Sequence, residues 1–509
     1  MQTRARRKAY LQAVRVTLTD LPVELLDEIA QQLDNVSLIH FSLICKCTHQ
    51  VGLHLFFSRN KIGNPTAGWV SVSSTAPVET LWALRVSLFV QHLQGIYYSF
   101  RPHRDIMQEV DELMCLLRRL SSVTSIHIHA VGSLFFNYRQ EAQLGEKKLF
   151  EKWTSLLDLA LQKGCARLQV HTGSLLTLRH GKNTGVSPLV SAFELYIPYH
   201  AKGLRPSRRR KEEPTYRLQE VTLGSDMHLQ GPFLPRTLST LRRSSSTLTR
   251  LSVDLNTVST ASWKFFLRSL LLQALLDLSL VKSSHNSDNC RLEFVDLSFF
   301  LSRHPSIVYL ELAGAVPAKS SSKPPKLPHL ASVKAQVSYL TWILGKRDQE
   351  SFPRLHRVGT SLHNDNAADY PPFDKVFESI RLLRNPITLR LQLGNYRLGE
   401  WFLSHQRAGQ TESVIPSLAC VSCLDLVASY NTHLTADILA ILPEWLGLFP
   451  KLVNVQFTSF SSDNDQDRLS DPKVIRRIAR SCPNILSIVV NYKPCDLKKI
   501  REEMNHHES

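Results

Sequence analysis

Few residues of this chain are spaced in a way that suits chemistry. His127 and His129 alternate along an apolar segment, so both imidazoles would lie on one face of a strand and could begin a metal site. Cys420 and Cys423 form a single CxxC pair, which supplies half of a structural zinc site. Neither pair has further ligands at suitable spacing. We therefore expect surface or inter-strand histidines, buried thiols and no bound metal.

Sequence motifs of catalysis are absent. The chain has no GxxxxGK[ST] phosphate loop, no GxGxxG and no GxSxG nucleophile turn. Acidic residues and histidines are dispersed, so no Ser-His-Asp arrangement can be assigned. We expect a non-catalytic protein without a cofactor, since a hidden enzyme would need ionisable residues that only the fold gathers into a pocket.

The composition is that of a globular chain, with 43% hydrophobic and 21% charged residues among 509. This length accommodates about two to four domains. The net charge of +17 is compatible with a nucleic acid, an acidic protein or an anionic membrane as partner, and equally with a solvated basic surface. The nine cysteines are odd in number and scattered among apolar positions, which favours a reducing compartment, the cytoplasm and/or the nucleus.

Targeting and membrane signals are weak. Residues 1–18 are rich in arginine and lack an apolar run, so we expect a basic arm rather than a signal peptide. Phe265 to Val281 is the most apolar stretch, but charged residues interrupt it, and we expect a buried helix running into a strand. The run RPSRRRK from Arg205 to Lys211 fits a nuclear-import signal, a patch for acidic partners or a solvated loop.

The densest pattern of the chain lies between residues 21 and 57. Pro22 suits the first turn of a helix, and Leu25, Ile29 and Leu33 recur on one helical face. A polar break follows, then a second apolar helix and a third short one. About 40 residues are too few to bury an ample core of their own. Several of the apolar side chains should therefore face a partner or the rest of the protein.

This segment, roughly residues 19–60, resembles an F-box. The matching residues are Leu21-Pro22, Glu24-Leu25, Ile29, Leu33, Leu38, Phe41-Ser42-Leu43, Cys45-Lys46 and Leu55-Phe56. The tryptophan or arginine usual near the end of the motif is replaced by Lys46-Cys47-Thr48-His49. The resemblance implies docking on the Skp-type adaptor, and through it on the cullin scaffold, of a cullin-RING ubiquitin ligase. Carried over by position, the adaptor-binding residues are Leu21, Pro22, Leu25, Ile29, Leu33, Leu38, Phe41 and Leu43. An ordinary helical hairpin opening a globular domain is the alternative.

A repeating unit follows a connector that we place at residues 61–119. Between residues 120 and 495, a polar or proline break recurs before an L-x-x-L-x-L-like strand. The clearest copies begin at Pro305, Pro386, Pro450 and Pro483, and weaker ones at Pro328, Pro353 and Pro416. Their spacing of about 23 to 34 residues suits one strand and one helix per unit. The array resembles a degenerate leucine-rich repeat that mostly lacks the Asn or Cys after the strand, and an irregular α/β domain is the alternative.

The sequence thus predicts an α/β (α+β) fold, in which a three-helix F-box precedes an irregular leucine-rich-repeat-like α/β solenoid and a polar tail at residues 496–509. Polar residues that alternate with apolar ones in the strands should hold a protein substrate, namely Tyr309, Glu311, Arg390, Gln392, Asn454 and Gln456. The expected function is substrate recognition in an SCF-type ligase, with neither nucleic acid nor membrane as partner. The alternative is a basic nucleic-acid-binding or scaffolding repeat protein unrelated to ubiquitin transfer.

Overall fold

The computed structural model describes most of the chain, in two compact units. The described residues are 18–101, 105–130, 142–171, 216–229, 231, 233–254, 258–281, 292–314, 323–345, 352–361, 370–394, 397–429, 434–460 and 463–508. The basic arm up to residue 17 and the RPSRRRK run lie outside these residues. The first unit comprises Met1–Leu178 and Arg210–Ser225, and the second comprises Arg179–Arg209 and Asp226–Ser509.

Three helices open the first unit. They are α1 (Val23–Gln31), α2 (Asn35–Ser42) and α3 (Lys46–Arg59). The Asp34 carboxylate accepts the backbone N–H of Ser37 at 2.7 Å and so caps α2. The Thr48 hydroxyl oxygen accepts the backbone N–H of Cys45 at 3.0 Å, which caps α3. These caps place the breaks between the helices where the polar residues of the sequence predict them.

Strands and helices then alternate in the rest of the first unit. They are β1 (Gly63–Asn64), β2 (Trp69–Val72), α4 (Thr80–Val86), β3 (His92–Phe100), α5 (Ile106–Arg119), β4 (Ser122–Ala130), α6 (Ala142–Gln162), β5 (Arg167–His171) and β6 (Glu220–Gly224). Strands β2 to β6 pair in parallel in chain order, whereas β1 is antiparallel to β2. The predicted connector at 61–119 therefore contains β1 to β3, and the strand–helix units begin before residue 120.

The second unit continues the same pattern. Its helices are α7 (Phe233–Arg243), α8 (Thr260–Ser269), α9 (Phe294–Ser302), α10 (Val337–Leu344), α11 (Pro371–Ile380), α12 (Leu398–Glu412), α13 (Ala436–Leu446), α14 (Asp463–Leu469), α15 (Pro472–Ser481) and α16 (Leu497–Glu508). Its strands are β7 (Arg250–Asp254), β8 (Asp277–Val281), β9 (Tyr309–Ala313), β10 (Ser332–Ala335), β11 (Arg357–Thr360), β12 (Ile387–Leu393), β13 (Val421–Ala428), β14 (Asn454–Thr458), β15 (Ser487–Val490) and β16 (Lys493–Pro494). Strands β7 to β15 pair in parallel in chain order, and β16 is antiparallel to β15.

The strands fall where the repeats predict them, since each of the seven prolines that opens a predicted repeat stands shortly before one of β9 to β15. The apolar stretch from Phe265 to Val281 forms the end of α8 and all of β8. The segment predicted as a polar tail folds as α16, where Arg501 Nη2 donates to the Ile485 carbonyl at 2.7 Å. No helix among the described residues is long and apolar enough to cross a membrane.

The core follows from the alternation within the strands. In β12, Ile387, Leu389, Leu391 and Leu393 are buried, while the residues between them are half-buried. The helices bury aromatic residues between them. Trp401 of α12 is the centre of one such cluster, with its ring centroid 4.9 Å from that of Tyr370 and 5.5 Å from that of Trp445. The described residues thus form a mixed α/β fold, as predicted.

Candidate functional site

Helices α1 to α3, with the turn before α1, form what we call the helical unit, residues 18–60. Several large apolar side chains of this unit lie on its surface. Leu25 and Ile29 of α1 retain 43% and 40% of their surface in contact with solvent, and Leu43, just after α2, retains 51%. Val23, Val36 and Ile44 are exposed as well. Exposed apolar residues at this density are typical of an interaction surface.

Other residues predicted to bind the adaptor lie inside the helical unit. Leu38 and Phe41 are buried, and they form its core together with Leu26, Ala30, Leu53 and Phe56. At Gly52, a Cβ atom would approach the Leu38 carbonyl oxygen to 3.1 Å, so α2 and α3 pack closely there. Leu21 and Leu33 are half-buried and Pro22 is exposed. The eight predicted residues thus divide into surface residues and residues that hold the helices together.

His49 ties the helical unit to the rest of the first unit. Its Nδ1 donates to the carbonyl of Ser42 at 2.9 Å, and its Nε2 accepts the backbone N–H of Leu88 at 3.0 Å. These two bonds require the neutral imidazole with its proton on Nδ1. Because Leu88 lies between α4 and β3, this side chain joins α3 directly to the strand–helix units.

Phe89 adds an aromatic contact beside this hydrogen bond. Its ring stacks on His54 with a centroid separation of 5.1 Å, and it meets the edges of His49 and Phe57 at 6.0 and 6.3 Å. Within the helical unit, Arg59 Nη1 donates to the Leu33 carbonyl at 2.7 Å and so joins α3 to the turn that follows α1. The helical unit is therefore packed against its neighbours in the first unit and is not a separate appendage.

A second candidate surface is the side of strands β7 to β15 that carries polar side chains, which we call the strand face. Strand pairing aligns Tyr309 with Asn454 in one row, and Glu311, Arg390 and Gln456 in the next. Gln392 follows two residues after Arg390 on the same side of β12. The structure thus brings the six residues predicted from alternation onto one face, and their binding of a substrate stays a prediction.

Several charged side chains of the strand face are paired. Lys334 Nζ lies 2.7 Å from a carboxylate oxygen of Glu311, and Arg250 Nε lies 2.8 Å from one of Asp277. The buried carboxylate of Asp425 accepts the hydroxyl of Thr458 at 2.8 Å. The same carboxylate lies 3.5 Å from Arg390 Nε and 4.0 Å from Arg357 Nη2.

Most of these residues were not predicted from the sequence, among them Lys334, Arg357 and Asp425. These three lie in β10, β11 and β13, the strands of the weaker repeats that begin at Pro328, Pro353 and Pro416. The same alternation could have predicted these three residues, because each stands next to a buried aliphatic residue of its strand, as Glu311 and Arg390 do.

The family comparison bears on the helical unit. Its residues 18–56 match the family model of the F-box domain. Residues 18–56 are an F-box domain. This agrees with the segment predicted at 19–60. F-box domains bind Skp-type adaptors, and through them a cullin, in SCF ubiquitin ligases; F-box proteins are generally non-catalytic substrate receptors. The search among curated proteins found no match to the chain.

The exposed apolar residues of the F-box domain bear on how an adaptor would be bound. Because Leu25 is partly solvated in the free protein, an aspartate at this position would keep its hydration until a partner covers it. The substitution would then weaken the binding of the partner and leave the free energy of folding nearly unchanged. Leu38 has the opposite character, because a charge there would be buried in the free chain.

The histidines singled out in the sequence lie on β4, in the first unit. His129 faces His171 of β5 with ring centroids 6.4 Å apart, and its ring also stacks 6.4 Å from that of Tyr97. Burial, with smaller contributions from Arg167 and His171, lowers the pKa of His127. Within the described ranges, no group of three or more His, Cys, Asp or Glu residues could hold a metal ion.

The CxxC pair lies at the start of β13. Burial raises the pKa of Cys420 to about 11 and also raises that of Cys423. The Cys420 thiol donates to the Ile380 carbonyl at 3.4 Å. Eight of the nine cysteines belong to the described residues and are free thiols there, while Cys290 lies outside them. Cys420 is thus a buried thiol and Cys423 a half-buried one, and both resemble cysteines that serve in packing.

Proposed function

We propose that this chain is the substrate-recognition subunit of an SCF-type cullin-RING ubiquitin ligase. The F-box domain docks on the Skp-type adaptor, and the strand–helix units act as a leucine-rich-repeat-like solenoid that presents a bound protein for ubiquitination. The observation that carries this proposal is an F-box domain with exposed apolar residues, packed against a series of parallel strand–helix units.

The proposed mechanism is a gain in effective concentration and needs no reacting group on this chain. A protein held on the strand face would be kept near a ubiquitin-loaded enzyme that the cullin scaffold carries. The attachment through His49 and Phe89 supports this arrangement, because it limits the motion of the F-box domain relative to the adjoining strands.

Nucleic-acid binding is the competing function. The pairing of charges on the strand face disfavours it. Lys334 and Arg250 each form an ion pair with an acidic residue, and Arg357 and Arg390 share Asp425. These acids compete with phosphate for the same cations. A protein with six to ten phosphate contacts loses about 10³- to 10⁵-fold in its affinity for nucleic acid between 50 and 200 mM salt. We expect binding of the Skp-type adaptor to persist over the same range of salt.

We also propose that the protein works in the cytoplasm and/or the nucleus. The free thiols support a reducing compartment, since persistent disulfides belong to oxidising ones.

Co-purification of the full chain with a Skp-type adaptor and a cullin tests the proposal. The wild-type chain should retain both proteins, and Leu25→Asp should lose both, because the complex would bury an unpaired charge. The matched control is Leu276→Asp in the second unit, where the leucine is also 43% exposed; it should retain both. A point substitution is preferable to deletion of residues 1–60, because the deletion would remove the aromatic contacts of Phe89.

The same preparations test the division of labour. A protein that binds the wild-type chain should also bind Leu25→Asp, but its ubiquitination in a reconstituted ligase should stop. A wild-type chain that binds no Skp-type adaptor would refute the proposed function. Loss of the bound protein in a folded Leu25→Asp variant would place recognition at the F-box domain instead.

A further inference from the structure

Helix α9 carries large apolar side chains on its solvent side as well as in the core. Its buried apolar residues are Phe294, Leu297, Phe300 and Leu301. Val295 and Phe299, which are one helical turn apart, remain 55% and 46% exposed. A helix at the surface of a globular protein usually carries polar residues on its solvent side. The solvent side of α9 is therefore typical of a surface that a partner covers.

The neighbouring helix α8 extends this surface. Phe265 is 42% exposed, and it lies one turn before Arg268 on the same side of α8. The guanidinium carbon of Arg268 lies 5.7 Å from the centre of the Phe299 ring, so the exposed residues of the two helices adjoin. Leu271, just after α8, is 48% exposed. We call the surface formed by Phe265, Arg268, Leu271, Val295 and Phe299 the α8–α9 face.

Arg303, which follows α9, joins the parts of this face. Its Nη2 donates to the carbonyls of Leu267 and Leu270 at 2.9 and 2.7 Å, at the end of α8. Its guanidinium carbon lies 4.3 Å from the centre of the Phe299 ring. Because Leu271 is the next residue after Leu270, the α8–α9 face continues from Phe299 past Arg303 to Leu271.

The charges of these two helices are mostly positive. In α8, α9 and the turns that follow them, residues 260–276 and 294–308, the only acidic residue is Asp296, and the basic residues are Lys264, Arg268 and Arg303. Asp296 is buried, and Arg268 Nε lies 2.6 Å from its carboxylate. No acidic residue in these two ranges is therefore left to offset Lys264 and Arg303.

Arg242 of α7 brings a further cation to the end of α8. Its Nε and Nη2 donate to the Ser269 carbonyl at 3.0 and 2.8 Å. Among the described residues, Arg242 and Arg303 bond to backbone carbonyls and to no carboxylate, and the Nη1 group of each has no hydrogen-bond partner. Backbone contacts thus hold both guanidinium groups in place and leave N–H donors for a carboxylate.

We propose that the α8–α9 face binds a segment of a partner protein that combines large apolar side chains with aspartate or glutamate. The apolar side chains cover Phe265, Val295 and Phe299, and the carboxylates meet Arg242 and Arg303. Phenylalanine and arginine are both enriched at protein–protein interfaces, and a guanidinium held in a fixed position suits a carboxylate. The face belongs to helices of the second unit, so the proposal does not depend on adaptor binding by the F-box domain.

Fluorescence anisotropy with three labelled helical peptides tests this face on the full chain. The first peptide carries leucine and phenylalanine along one side and glutamate along the other. The second has glutamine in place of every glutamate, and the third has alanine in place of every leucine and phenylalanine. The first peptide should bind at least about tenfold more tightly than either of the others, because it alone offers both carboxylates and apolar side chains.

Val295→Ser combined with Phe299→Ser removes the apolar centre of the face. Because both side chains are exposed, the variant should fold as the wild type does, and its affinity for the first peptide should fall about tenfold or more. The matched control is Leu382→Ser combined with Leu486→Ser, at leucines of the same unit that are 38% and 71% exposed. Its affinity should stay within about twofold of the wild type.

Lys264→Glu tests the charge of the face separately. Lys264 is exposed beside Phe265, and its replacement should reduce the affinity for the first peptide about threefold or more while leaving that for the glutamine peptide unchanged. The control is Lys375→Glu, at an exposed lysine of α11, which should stay within about twofold of the wild type.

Several results would overturn the proposal. Equal affinity for the first peptide and either of the others would do so, and so would an equal loss in the variants and their controls. Tighter binding of phosphatidylcholine vesicles containing phosphatidylserine, or of a single-stranded oligonucleotide, would assign the face to a membrane or a nucleic acid if the paired serine variant abolishes it. Self-association of the wild type that the same variant abolishes would assign the face to a second copy of the chain. Adaptor binding should be unchanged in every variant, so failure of this proposal and failure of the proposed ligase function are distinguishable.

Discussion

Replacing Glu109 with alanine removes the carboxylate at the centre of a buried network in the first unit. Glu109 of α5 is fully buried, and its Oε1 accepts Arg101 Nη1 at 2.7 Å. Its Oε2 accepts the Tyr98 hydroxyl at 3.0 Å and the Arg101 backbone N–H at 3.2 Å. Burial, followed by the charge of Glu109, raises the pKa of Tyr98 well above its usual value. The tyrosine therefore stays a hydrogen-bond donor at all physiological pH values.

The same network reaches the segment before α4. Arg101 Nε donates to the Ala76 carbonyl at 3.0 Å, and its Nη2 donates to the Pro77 carbonyl at 2.7 Å. The helix that follows carries Trp82, whose ring lies 5.4 Å from that of His40 in the F-box domain. Loss of Glu109 should thus loosen the part of the first unit on which the F-box domain rests.

The magnitude follows from leaving Arg101 charged and buried without its partner. Breaking a buried ion pair in this way costs about 3–5 kcal/mol. Hydrogen exchange of peptides from β3 and α5 should then lose about two to three and a half orders of magnitude of protection. Glu400→Ala is the control, because its pair with Arg397 is exposed and should cost at most about 1 kcal/mol.

A double variant separates the charge from the packing. Arg101→Met with Glu109→Leu removes both charges and should recover part of the lost stability, since no unpaired charge remains. Recovery should be incomplete, because the Ala76 and Pro77 carbonyls lose their donors. If Glu109→Ala destabilises the chain no more than Glu400→Ala does, the reasoning from the buried network is refuted.

The F-box surface, the buried His228 and the thiols each offer another test. Alanine at Leu25, Ile29 and Leu43 together should weaken adaptor binding by about 2–4 kcal/mol in calorimetric titration, because their exposed fractions of 43%, 40% and 51% together equal about one and a third residues. The control, with alanine at leucines of similar exposure in the second unit, should bind as the wild type does; its positions are Leu271, Leu276 and Leu382. Burial lowers the pKa of His228 to about 4, so the free energy of unfolding should fall by about 2 kcal/mol between pH 7.5 and 5 as the unfolded chain takes up the proton. In urea denaturation, the free energy of unfolding of His228→Phe should lack this part of its dependence on pH. An unchanged slope of that free energy against pH would contradict the assignment of the proton uptake to His228. An alkylating reagent should modify Cys47 and Cys45 first in the native protein, because Cys47 is exposed and a hydrogen bond with Thr48 lowers the pKa of Cys45. Once the chain is denatured, the reagent should modify all nine thiols, and a stable disulfide would contradict this prediction.

The sequence by itself determined the local structure of this protein. The helical spacing of Leu25 and Ile29 predicted α1, although the helix ends at Gln31 and Leu33 lies in the turn after it. The period of two in Ile387 to Leu393 predicted the buried side of β12. It also determined the F-box domain, because that motif is an ordered set of residue types within one short segment. These signals are local, so a single stretch of chain is enough to read them.

The tertiary structure decided which of these residues meet. Leu25 and Leu38 both look apolar in the sequence, but the packing of α2 on α3 buries Leu38 and leaves Leu25 partly exposed. Whether Gly359 lies between Lys334 and Arg390 depends on the register of three strands, whose connections differ in length. A period of two assigns each residue to a side of its strand, but it contains no information about the neighbouring strand. The pairing across strands is set by how the helices and loops between them pack, and that is a property of the whole fold.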